Sequence, residues 1–569
     1  MARIIGIDFG NWMTYICSLT GMNEETKLGG HFEDLIPNAY SSQTHSSRGS
    51  ENGIPNEYFW GSVRSGAKTE IAELCGFELL DRTVFPAENR LRLLKKYMGK
   101  EVTLSSGGNN PEKRTVKYDD VIVHMFEYYM RLANEALRSK LGDSAMTNLV
   151  SVSYPASFGD PNVKQYYINL IQRADSGVRD EKGNMKKIRV VGAVCEPAAA
   201  GLNCLSELAA KGNAKLPDNV TYGVFDLGGG TFDLSIVSLF PKGKKRPNGS
   251  KYFFEEVCDG GINVAGSDFT NRLRDLFISK AKKVIGEGEL TRKQLKDINE
   301  KVEICKMALS TRVSVDIALS NPYDDDDDYI VTVTREEFEQ AISADVDRII
   351  NFTRNFFDEH KERLPQEILM TGGSSNIPYI QSRLKEALPK YADKIFLHEP
   401  SKAAAYGAAR FYDPDYETAL AGQETTKPGQ VNTPPRESSG VLFRTVSRDI
   451  GVMVHDGGID QIFALIKAGT EIPCDSGEQN FHTLGKTQST AYDLYRANKT
   501  NPDPKQINQN YGLIRKITLQ YGREVPAETK TSCRLTIDSL GMLHLTAWED
   551  DNRAIKVEEK FTFDVSSDN

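Results

Sequence analysis

The sequence predicts a two-domain protein, an α/β domain followed by an all-β domain. Strand and helix patterns alternate up to about residue 412, which is typical of α/β folds. Residues 422–440 are rich in Gln, Thr, Pro, Gly and Ser without apolar periodicity, so they predict a linker. From residue 445 to 565 apolar residues recur at every second position between turn signals, which indicates a β-sandwich. The expected boundaries are 1–412 for the first domain, 413–443 for the linker and 444–569 for the second domain.

Composition argues against several functional classes. The net charge of −9 makes a nucleic-acid partner held by phosphate contacts unexpected. No apolar run reaches about 18 residues, so no membrane span is expected. The N-terminal segment carries Asp8 and lacks a long apolar stretch, so no secretory signal is predicted. The 8 cysteines form no CxxC pair and are expected to be reduced, mostly buried thiols in a cytoplasmic protein.

Two similar strand-turn segments organise the α/β part. In the first, an apolar strand precedes Asp8 and Gly10. In the second, residues 223–225 precede Asp226, and Gly228, Gly229, Gly230, Thr231 and Asp233 follow. Glycines allow a tight turn whose bare N–H groups approach a phosphate, and neighbouring carboxylates suit a hydrated Mg²⁺. One such turn is equally compatible with an ordinary glycine-rich hairpin. Two of them predict a duplicated domain whose hairpins close on one phosphate chain from opposite sides.

The elements between these turns follow in order. Residues 121–141 have apolar positions at helical spacing, and residues 149–155 and 190–195 are apolar runs that predict strands. Glu196 comes at the end of the last of these strands, where a small-residue helix begins. Its carboxylate is either part of the site or a solvated group favoured by the helix dipole.

Helical patterns dominate the rest of the first domain. Residues 266–311 read as helix, with Glu303, Lys306 and Ser310 on one face that meets either an adenosine or water. The acidic run at 324–328 lacks the glycine and alternation of a calcium loop and predicts a solvated turn. A third glycine turn, Gly372, Gly373 and Ser374, follows a predicted strand. Further helices are expected at 334–361, 377–388 and 402–409.

The combination of motifs identifies a family. The motifs are IGIDFG (5–10), VSYPASF (152–158), CEPAAAGL (195–202), YGVFDLGGGTFDLSIV (222–237), AGSDFTNRL (265–273), MTGGSSNIPYIQ (370–381), AAAYGAA (403–409), DIGVMV (449–454), IKAGTEIP (466–473) and IDSLGMLHLTAW (537–548). In this order they resemble the heat-shock protein 70 (DnaK-like) chaperones over nearly the whole chain. That family has an actin-like ATPase domain, a duplicated ribonuclease-H-like fold, joined to a β-sandwich that binds peptides.

The resemblance implies roles for individual residues. Asp8, Asp226 and Glu196 would arrange Mg²⁺ and its waters, with Asp8 and Asp226 acting through water. Thr231 would hold phosphates, and Asp233 would orient the attacking water or take its proton. The residues implied to contact ATP or ADP are Gly10, Asn11, Trp12, Gly228, Gly229, Gly230, Gly266, Glu303, Lys306, Ser310, Gly372, Gly373 and Ser374.

Several positions depart from the family. Asn11 and Trp12 stand where the family has two threonines, and Ser65 aligns with its phosphate-contacting lysine. Arg64 or Lys68 replaces that lysine only if the loop shifts, and Arg is not a simple substitute for Lys. The adenine-stacking arginine and the arginine after the third glycine turn correspond to Met307 and Asn376. ATP binding is therefore a firmer expectation than fast hydrolysis.

The second domain would bind exposed peptide segments of client proteins, with co-chaperones as further partners in a stress response. Its peptide cleft maps by resemblance to Val452, His455, Phe481, Leu484 and Ala491. The family's helical lid is expected to be absent, which would speed peptide release. The apolar residues 441–443 either dock onto the ATPase domain or begin the sandwich.

Three other functions stay open at this point. The first is a module that binds ATP, hardly hydrolyses it and recruits a partner protein, as the substitutions at 11, 12 and 65 suggest. The second is an actin-like filament subunit, against which the β-sandwich argues. The third is a small-molecule kinase of the same superfold, although no sequence feature indicates its acceptor.

Overall fold

A computed structural model describes most of the chain between residues 3 and 562. The residues left undescribed inside that range are 12, 23–28, 36–52, 66–67, 80–82, 86–88, 107–110, 157, 159–160, 212–219, 240–253, 287–288, 322–327, 362–363, 399–401, 412–441, 447, 457, 473, 499–501 and 539–541. Trp12, the acidic residues 324–327 and most of the predicted linker therefore lie outside the described residues.

The first lobe is built on a six-stranded sheet around the N-terminal strand. Ile5–Phe9 pairs antiparallel with Met13–Met22 and parallel with Leu149–Tyr154. The strand order is Arg189–Cys195, Leu149–Tyr154, Ile5–Phe9, Met13–Met22 and Gly29–Asp34, with Ile54–Pro55 paired to Met13–Met22. We call Ile5–Phe9, the turn 10–12 and Met13–Met22 the first hairpin.

The second lobe is built on a seven-stranded sheet around Val220–Leu227. This strand pairs antiparallel with Phe232–Leu239 and parallel with Glu367–Thr371. The strand order is Ile395–Leu397, Glu367–Thr371, Val220–Leu227, Phe232–Leu239, Phe254–Ile262, Leu442–Thr445 and Glu471–Ile472. We call Val220–Leu227, the turn 228–231 and Phe232–Leu239 the second hairpin.

The two sheets repeat one arrangement. In each, a central strand has two parallel neighbours on one side and an antiparallel meander of two strands on the other. The duplication predicted from the two Asp-Gly turns is thus present in the strand topology. Because the two central strands are equivalent, Asp8 and Asp226 occupy corresponding ends of the two sheets.

The helices agree with the sequence patterns except in one region. Residues 266–311 form two helices rather than one, Gly266–Ile285 and Arg292–Leu309. Gly286 ends the first in the left-handed region with a φ of 91°. Thr291 begins the second through a capping box with Gln294. The other α-helices described are Tyr118–Leu141, Pro161–Arg173, Glu196–Lys211, Arg335–Glu359, Pro378–Ala387, Ala403–Arg410 and Ile507–Asn510.

Each lobe has its own apolar core. One cluster contains Ile7, Phe9 and Tyr129, and the other contains Phe225, Phe232 and Phe269. The small-residue helices Glu196–Lys211 and Ala403–Arg410 cross closely, because a side chain at Gly407 would collide with the Ala199 backbone. This close crossing fixes where the first of these helices begins, and hence where Glu196 lies.

The first domain also contains smaller sheets and short 3₁₀ helices. A four-stranded sheet in the first lobe contains Arg64, Ser65 and Lys68. Its strands are Tyr58–Ser65, Lys68–Cys75, Thr83–Phe85 and Arg90–Leu91. Two-stranded hairpins are formed by Glu101–Ser105 with Lys113–Lys117, Asp175–Arg179 with Met185–Lys187, and Ser314–Leu319 with Tyr329–Thr334. Short 3₁₀ helices occur at Gly76–Leu79, Leu94–Tyr97, Asp143–Ala145, Gly373–Asn376 and Pro389–Lys394.

The C-terminal part consists almost entirely of strands around one apolar core that includes Val452, Leu494, Leu535 and Leu545. One sheet has the order Ile459–Ile466, Ile450–Asp456, Leu494–Ala497 and Tyr511–Arg515. A second contains Cys474–Asp475, Lys530–Ile537, Met542–Glu549 and Asn552–Thr562, with Gln479–His482 also paired to Lys530–Ile537. A third pairs Thr487–Ala491 with Thr518–Val525.

One strand connects the two parts of the chain. Leu442–Thr445 pairs parallel with Phe254–Ile262 at the edge of the second-lobe sheet. It also pairs antiparallel with Glu471–Ile472 of the C-terminal part. Leu442 and Phe443 therefore lie on a strand that pairs with both parts of the chain, while Val441 lies outside the described residues.

Candidate functional site

The first hairpin holds Asp8 at the end of a buried strand. The Ser153 hydroxyl donates a hydrogen bond to Asp8 Oδ1 at 2.7 Å, which fixes the carboxylate from the neighbouring parallel strand. The turn is tight, because the Gly10 N–H donates to the Asp8 carbonyl at 3.1 Å. The Asn56 side chain donates to the Gly10 carbonyl and accepts from the Tyr129 hydroxyl at 3.1 Å. Side chains from outside the hairpin therefore hold this turn.

The second hairpin holds Asp226 and Asp233 opposite each other in register. Both carboxylates are buried, and the Gly228 N–H closes the turn by donating to the Thr231 carbonyl at 3.1 Å. The Gly228 carbonyl accepts from the Gly266 N–H at 3.1 Å and from the Ser374 hydroxyl at 3.0 Å. This turn is therefore tied to the helix that begins at Gly266 and to the third glycine turn.

The two turns meet in space. A side chain added at Gly230 would collide with the Asn11 amide. The Asn11 Oδ1 atom is buried and has no hydrogen-bond partner among the described residues. A buried polar atom without a partner costs free energy. The point of contact between the hairpins thus carries an unsatisfied polar group.

Glu196 brings a further acid to this point, so that with Asp8, Asp226 and Asp233 it forms the carboxylate cluster. Burial raises the pKa of Asp226 well above its ordinary value, and the charges of Glu196, Asp233 and Asp8 raise it further. Burial raises the pKa of Glu196 to about 8, with further raising by the charges of Asp8 and Asp233 and lowering by Lys95. Burial also raises the pKa of Asp8, against the lowering effects of Lys95 and Ser153. Such a cluster attracts a cation.

Lys95 is a residue at the carboxylate cluster that the sequence did not predict. Its amino group forms an ion pair with Glu196, and its side chain is only 3 % exposed. It lies in the 3₁₀ helix Leu94–Tyr97, a segment without a recognisable motif. Ser65 aligns with the family's lysine, and Arg64 or Lys68 would replace that lysine only if the loop shifts. The side chains of all three lie outside the described residues.

The predicted adenosine residues form a second group beside the Gly228 turn. The Lys306 amino group lies 2.8 Å from Glu303 Oε1 and donates to the Gly266 carbonyl at 3.0 Å. Gly266 lacks space for a side chain, because the Ser374 hydroxyl and the Lys306 amino group lie against it. Ser310 is the C-cap residue of the helix Arg292–Leu309, which carries Glu303 and Lys306, and it is half-buried. The structure therefore brings together Gly228, Gly266, Glu303, Lys306 and Ser374.

The third glycine turn closes over the second hairpin. Gly372 has a φ of 81°, and a side chain there would lie 2.5 Å from Asp226 Oδ1. Only glycine fits at this position for both reasons. Gly373 is exposed, and the Asn376 side chain donates to its carbonyl at 3.0 Å. Met307, at the position of the adenine-stacking arginine, is 43 % exposed.

The donor set fits a hydrated divalent cation. In the described part of the chain, no three His, Cys, Asp or Glu side chains converge closely enough to ligate a metal directly. Mg²⁺ usually keeps several waters and needs only one or two protein carboxylates beside substrate phosphates. The half-buried carboxylate of Asp8 and the buried carboxylate of Asp226 repel each other and are suited to that kind of binding.

The residues predicted for the peptide cleft have different environments. Val452 belongs to the core of the C-terminal part and is 1 % exposed, so it offers no surface to a peptide in this conformation. Phe481 is half-buried and its ring lies 5.6 Å from that of Phe463. Leu484 and Ala491 are exposed, and His455 is exposed with its Nδ1 2.8 Å from Asp460 Oδ1. Phe463, beside Phe481, is 40 % exposed and Leu484 is 65 % exposed, so both offer apolar surface.

Comparison with known proteins gives a consistent result. A family model described as Hsp70 protein matches residues 183–560, which is more than half of the chain. A heat shock cognate HSP70 protein of Trypanosoma brucei brucei is 27% identical over 311 residues, covering 54% of this chain and 41% of the relative. The heat shock cognate 70 kDa protein 3 of Dictyostelium discoideum is 25% identical over 389 residues, covering 67% and 55%.

Two further facts bound these matches. The chain spans about half the length of the curated relatives it matches. Among the described helices, none is both long enough and apolar enough to cross a bilayer.

Proposed function

This chain belongs to the heat-shock protein 70 family, and on that basis we propose that it is an ATP-regulated chaperone. Its first domain would be an actin-like ATPase that binds Mg²⁺-ATP and hydrolyses it slowly. Its second domain would be a β-sandwich that binds exposed peptide segments of client proteins. The observation that carries the proposal is the meeting of two Asp-Gly hairpins around one carboxylate cluster.

The nucleotide would lie between the hairpins. Bare N–H groups at Gly229 and Gly230 suit the phosphate oxygens, and Asp8 and Asp226 would hold Mg²⁺ through its waters. Mg²⁺ supplies neutralisation of the negative charge that develops on the phosphates. Glu303, Lys306 and Ser374 would contact the adenosine from the second lobe, where they already surround Gly266.

Asp233 is the residue best placed to act on the attacking water. It is buried, it pairs in register with Asp226, and it adjoins the Gly230 turn. It would orient a water or accept its proton, while Glu196 helps to keep the water shell of the cation in place. Phosphoryl transfer requires mainly such positioning and charge neutralisation. Slow hydrolysis is expected because the Asn11 amide crowds the turn at Gly230.

Coupling between the domains is supported by the strand order. Asp233 pairs with Gly261 on the strand Phe254–Ile262, and that strand pairs with Leu442–Thr445. The nucleotide site is therefore two strands away from the connection to the peptide-binding domain. A nucleotide that binds two arrangements of this edge with different affinity would shift their populations, and peptide affinity would change to the extent that the peptide also distinguishes them.

Peptide affinity measured with and without nucleotide tests the proposal. Fluorescence anisotropy of a labelled, extended apolar peptide should give a different dissociation constant with ATP, with ADP and without nucleotide. Leu484→Ser should weaken binding, whereas Leu397→Ser, which removes an exposed apolar side chain from the first domain (44 % exposed, against 65 % for Leu484), should not. Identical affinities under all three conditions would refute ATP regulation.

A backbone variant tests the coupling separately. Phe443→Pro removes a backbone donor from the connecting strand and constrains its conformation. It should abolish the difference between ATP and ADP in the anisotropy experiment and leave ATP affinity unchanged, whereas Phe443→Ala should retain the difference. If Phe443→Pro responds to nucleotide as the wild type does, this strand does not carry the coupling.

A second candidate is an ATP-binding module that hardly hydrolyses ATP and recruits a partner protein. The buried Asn11 Oδ1 beside Gly230, which has no partner among the described residues, favours it, because an ill-fitting turn would misplace the reacting phosphate. Single-turnover hydrolysis of labelled ATP distinguishes the two. A rate indistinguishable from the protein-free control supports the module, and measurable Mg²⁺-dependent hydrolysis supports the chaperone ATPase.

A further inference from the structure

Lys95 faces the centre of the carboxylate cluster from the first lobe. Its side chain is 3 % exposed, and that of its partner Glu196 is 13 % exposed. Burying a lysine is unfavourable unless the charge is paired, so this position is maintained by the acids around it. Lys95 is the cation whose charge acts on Asp8, Glu196 and Asp226 alike.

The charges do not balance. Among the described residues, Lys95 is the cation shown to act on Asp8, Glu196 and Asp226, so its single ion pair with Glu196 cannot neutralise all three acids when they are ionised. A bound divalent cation would neutralise part of the cluster and weaken the hold of Glu196 on Lys95. The freed ammonium group would then be available to a ligand bound at the carboxylate cluster. A polyphosphate is a ligand that brings both a divalent cation and negative oxygens for a lysine to contact.

The backbone also indicates that Lys95 is specially placed. Leu93, two residues earlier, adopts the left-handed conformation with φ 54° and ψ 40°. Among the described residues, the only other residue besides glycine with positive φ is Glu528. Leucine adopts this conformation at a cost, and such strain is frequent at functional sites. Here it begins the 3₁₀ helix Leu94–Tyr97, which directs Lys95 into the cluster and leaves Lys96 exposed.

We propose that Lys95 is a polyphosphate-binding residue that exchanges its ion pair with Glu196 for the phosphate oxygens of the bound nucleotide. The cation for the phosphates would then come from the 3₁₀ helix Leu94–Tyr97, and not from Arg64 or Lys68 of the four-stranded sheet. The inference rests on the proposed function, because it requires that the cleft bind ATP. A purely structural role, in which Lys95 only neutralises Glu196, makes different predictions for nucleotide binding.

Isothermal titration with ATP and with adenosine, both in the presence of Mg²⁺, distinguishes these roles. Lys95→Met should lower ATP affinity by about tenfold to a hundredfold, the usual value of a hydrogen bond between charged groups. Adenosine affinity should change by less than about twofold, since adenosine has no phosphate for Lys95 to contact. Lys95→Arg should restore ATP affinity only in part. Lys96→Met, which removes the same charge from the exposed neighbour, should change neither affinity.

If Lys95→Met does not fold, the same test can be made in the Glu196→Gln variant. In Glu196→Gln the buried acid is neutral, so adding Lys95→Met leaves no unpaired charge at that position. Comparison of the double variant with Glu196→Gln should show the same selective loss of ATP affinity.

The outcomes separate the two proposals. Unchanged ATP affinity in both backgrounds, or equal losses for ATP and adenosine, would overturn the role of Lys95 while leaving ATP binding intact. A wild-type protein that binds neither ligand would overturn the proposed function and this inference together.

Discussion

The two hairpins share a topology but differ in how their turns are built. In the second hairpin, residues 228–230 are bare glycines, and the Gly228 carbonyl is fixed by hydrogen bonds from Gly266 and Ser374. In the turn of the first hairpin, residues 10–12, only Gly10 is glycine, Asn11 follows it, and Asn56 holds the turn from outside. The Asn11 amide projects onto Gly230 and leaves its Oδ1 without a partner among the described residues.

This difference suggests which side of the cleft performs which task. The second hairpin, with three consecutive glycines at its turn and two buried carboxylates, is the side that we propose binds the phosphates. The first lobe contributes Asp8 to the carboxylate cluster from its hairpin and contributes Lys95 from the 3₁₀ helix Leu94–Tyr97. The predicted departures at Asn11 and Trp12 lie in the turn of the first hairpin, whereas the turn opposite it consists of the three glycines 228–230.

The largest effect is expected from the acids at the strand ends. Asp226→Asn or Asp8→Asn should lower Mg²⁺-dependent ATP affinity by about a hundredfold, because each removes a group that holds the waters of the cation. Asp275→Asn, an exposed acid of the second lobe, is the control. Titrations with and without Mg²⁺ measure the effect. If Asp226→Asn and the wild type bound ATP equally well in Mg²⁺, the proposed cation site would be wrong.

Steric contact between the hairpins gives the next prediction. Gly230→Ala should lower ATP affinity by about tenfold, because the methyl group would displace the Asn11 amide and the turn. The double variant Gly230→Ala with Asn11→Gly should recover most of the loss, since the colliding side chain is gone. If the double variant is as weak as the single one, the hairpins do not meet as described.

The carboxylate cluster predicts a pH dependence of stability. The pKa of Glu196 is about 8 in the folded, ligand-free protein and near its ordinary 4.5 when unfolded. The folded state therefore binds more protons, and the free energy of unfolding should fall as the pH rises from about 4.5 to about 8. One proton contributes a slope of at most about 1.4 kcal/mol per pH unit.

Urea denaturation in EDTA across this range measures that dependence. The raised pKa values of Asp8 and Asp226 act in the same direction, so the wild-type curve includes their contributions. Glu196→Gln should flatten the dependence above pH 5 and leave the part that the two aspartates cause. A steeper fall of stability in Glu196→Gln than in the wild type would contradict the assignment.

The smallest effect is expected at the two asparagines of the first hairpin. Asn11→Ala should raise the free energy of unfolding by up to about 1 kcal/mol, because it removes a buried oxygen without a partner. Asn56→Ala should lower it by about 1 to 2 kcal/mol, because it removes the bonds to Gly10 and Tyr129. Urea denaturation measures both. Destabilisation by Asn11→Ala of the same size as by Asn56→Ala would mean that Asn11 supports the turn.

Much of this architecture can be predicted from the sequence, because the signals are local. Asp8, Asp226 and Glu196 each come directly after an apolar run, and the ends of adjacent strands meet at one edge of a sheet. The separation of residues 266–311 into two helices is also encoded, by Gly286 and by the capping box at Thr291. Those signals were present in the sequence but were masked by the continuous helical pattern.

Other features depend on tertiary structure and could not be predicted. Lys95 carries no motif, and its approach to Glu196 depends on the left-handed backbone at Leu93. The burial of Val452 depends on which face of its strand packs against the opposite sheet. The pairing of Leu442–Thr445 with two different sheets depends on how both domains fold.

The position of the cation tests the central claim most directly. Crystals of the protein grown with ADP and Mn²⁺, which takes the place of Mg²⁺ and scatters anomalously, would locate it. The account predicts one anomalous peak between the carboxylates of Asp8 and Asp226, with the phosphates beside the Gly228–Gly230 turn. A cation and nucleotide bound elsewhere, with the two carboxylates facing away from the phosphates, would contradict it.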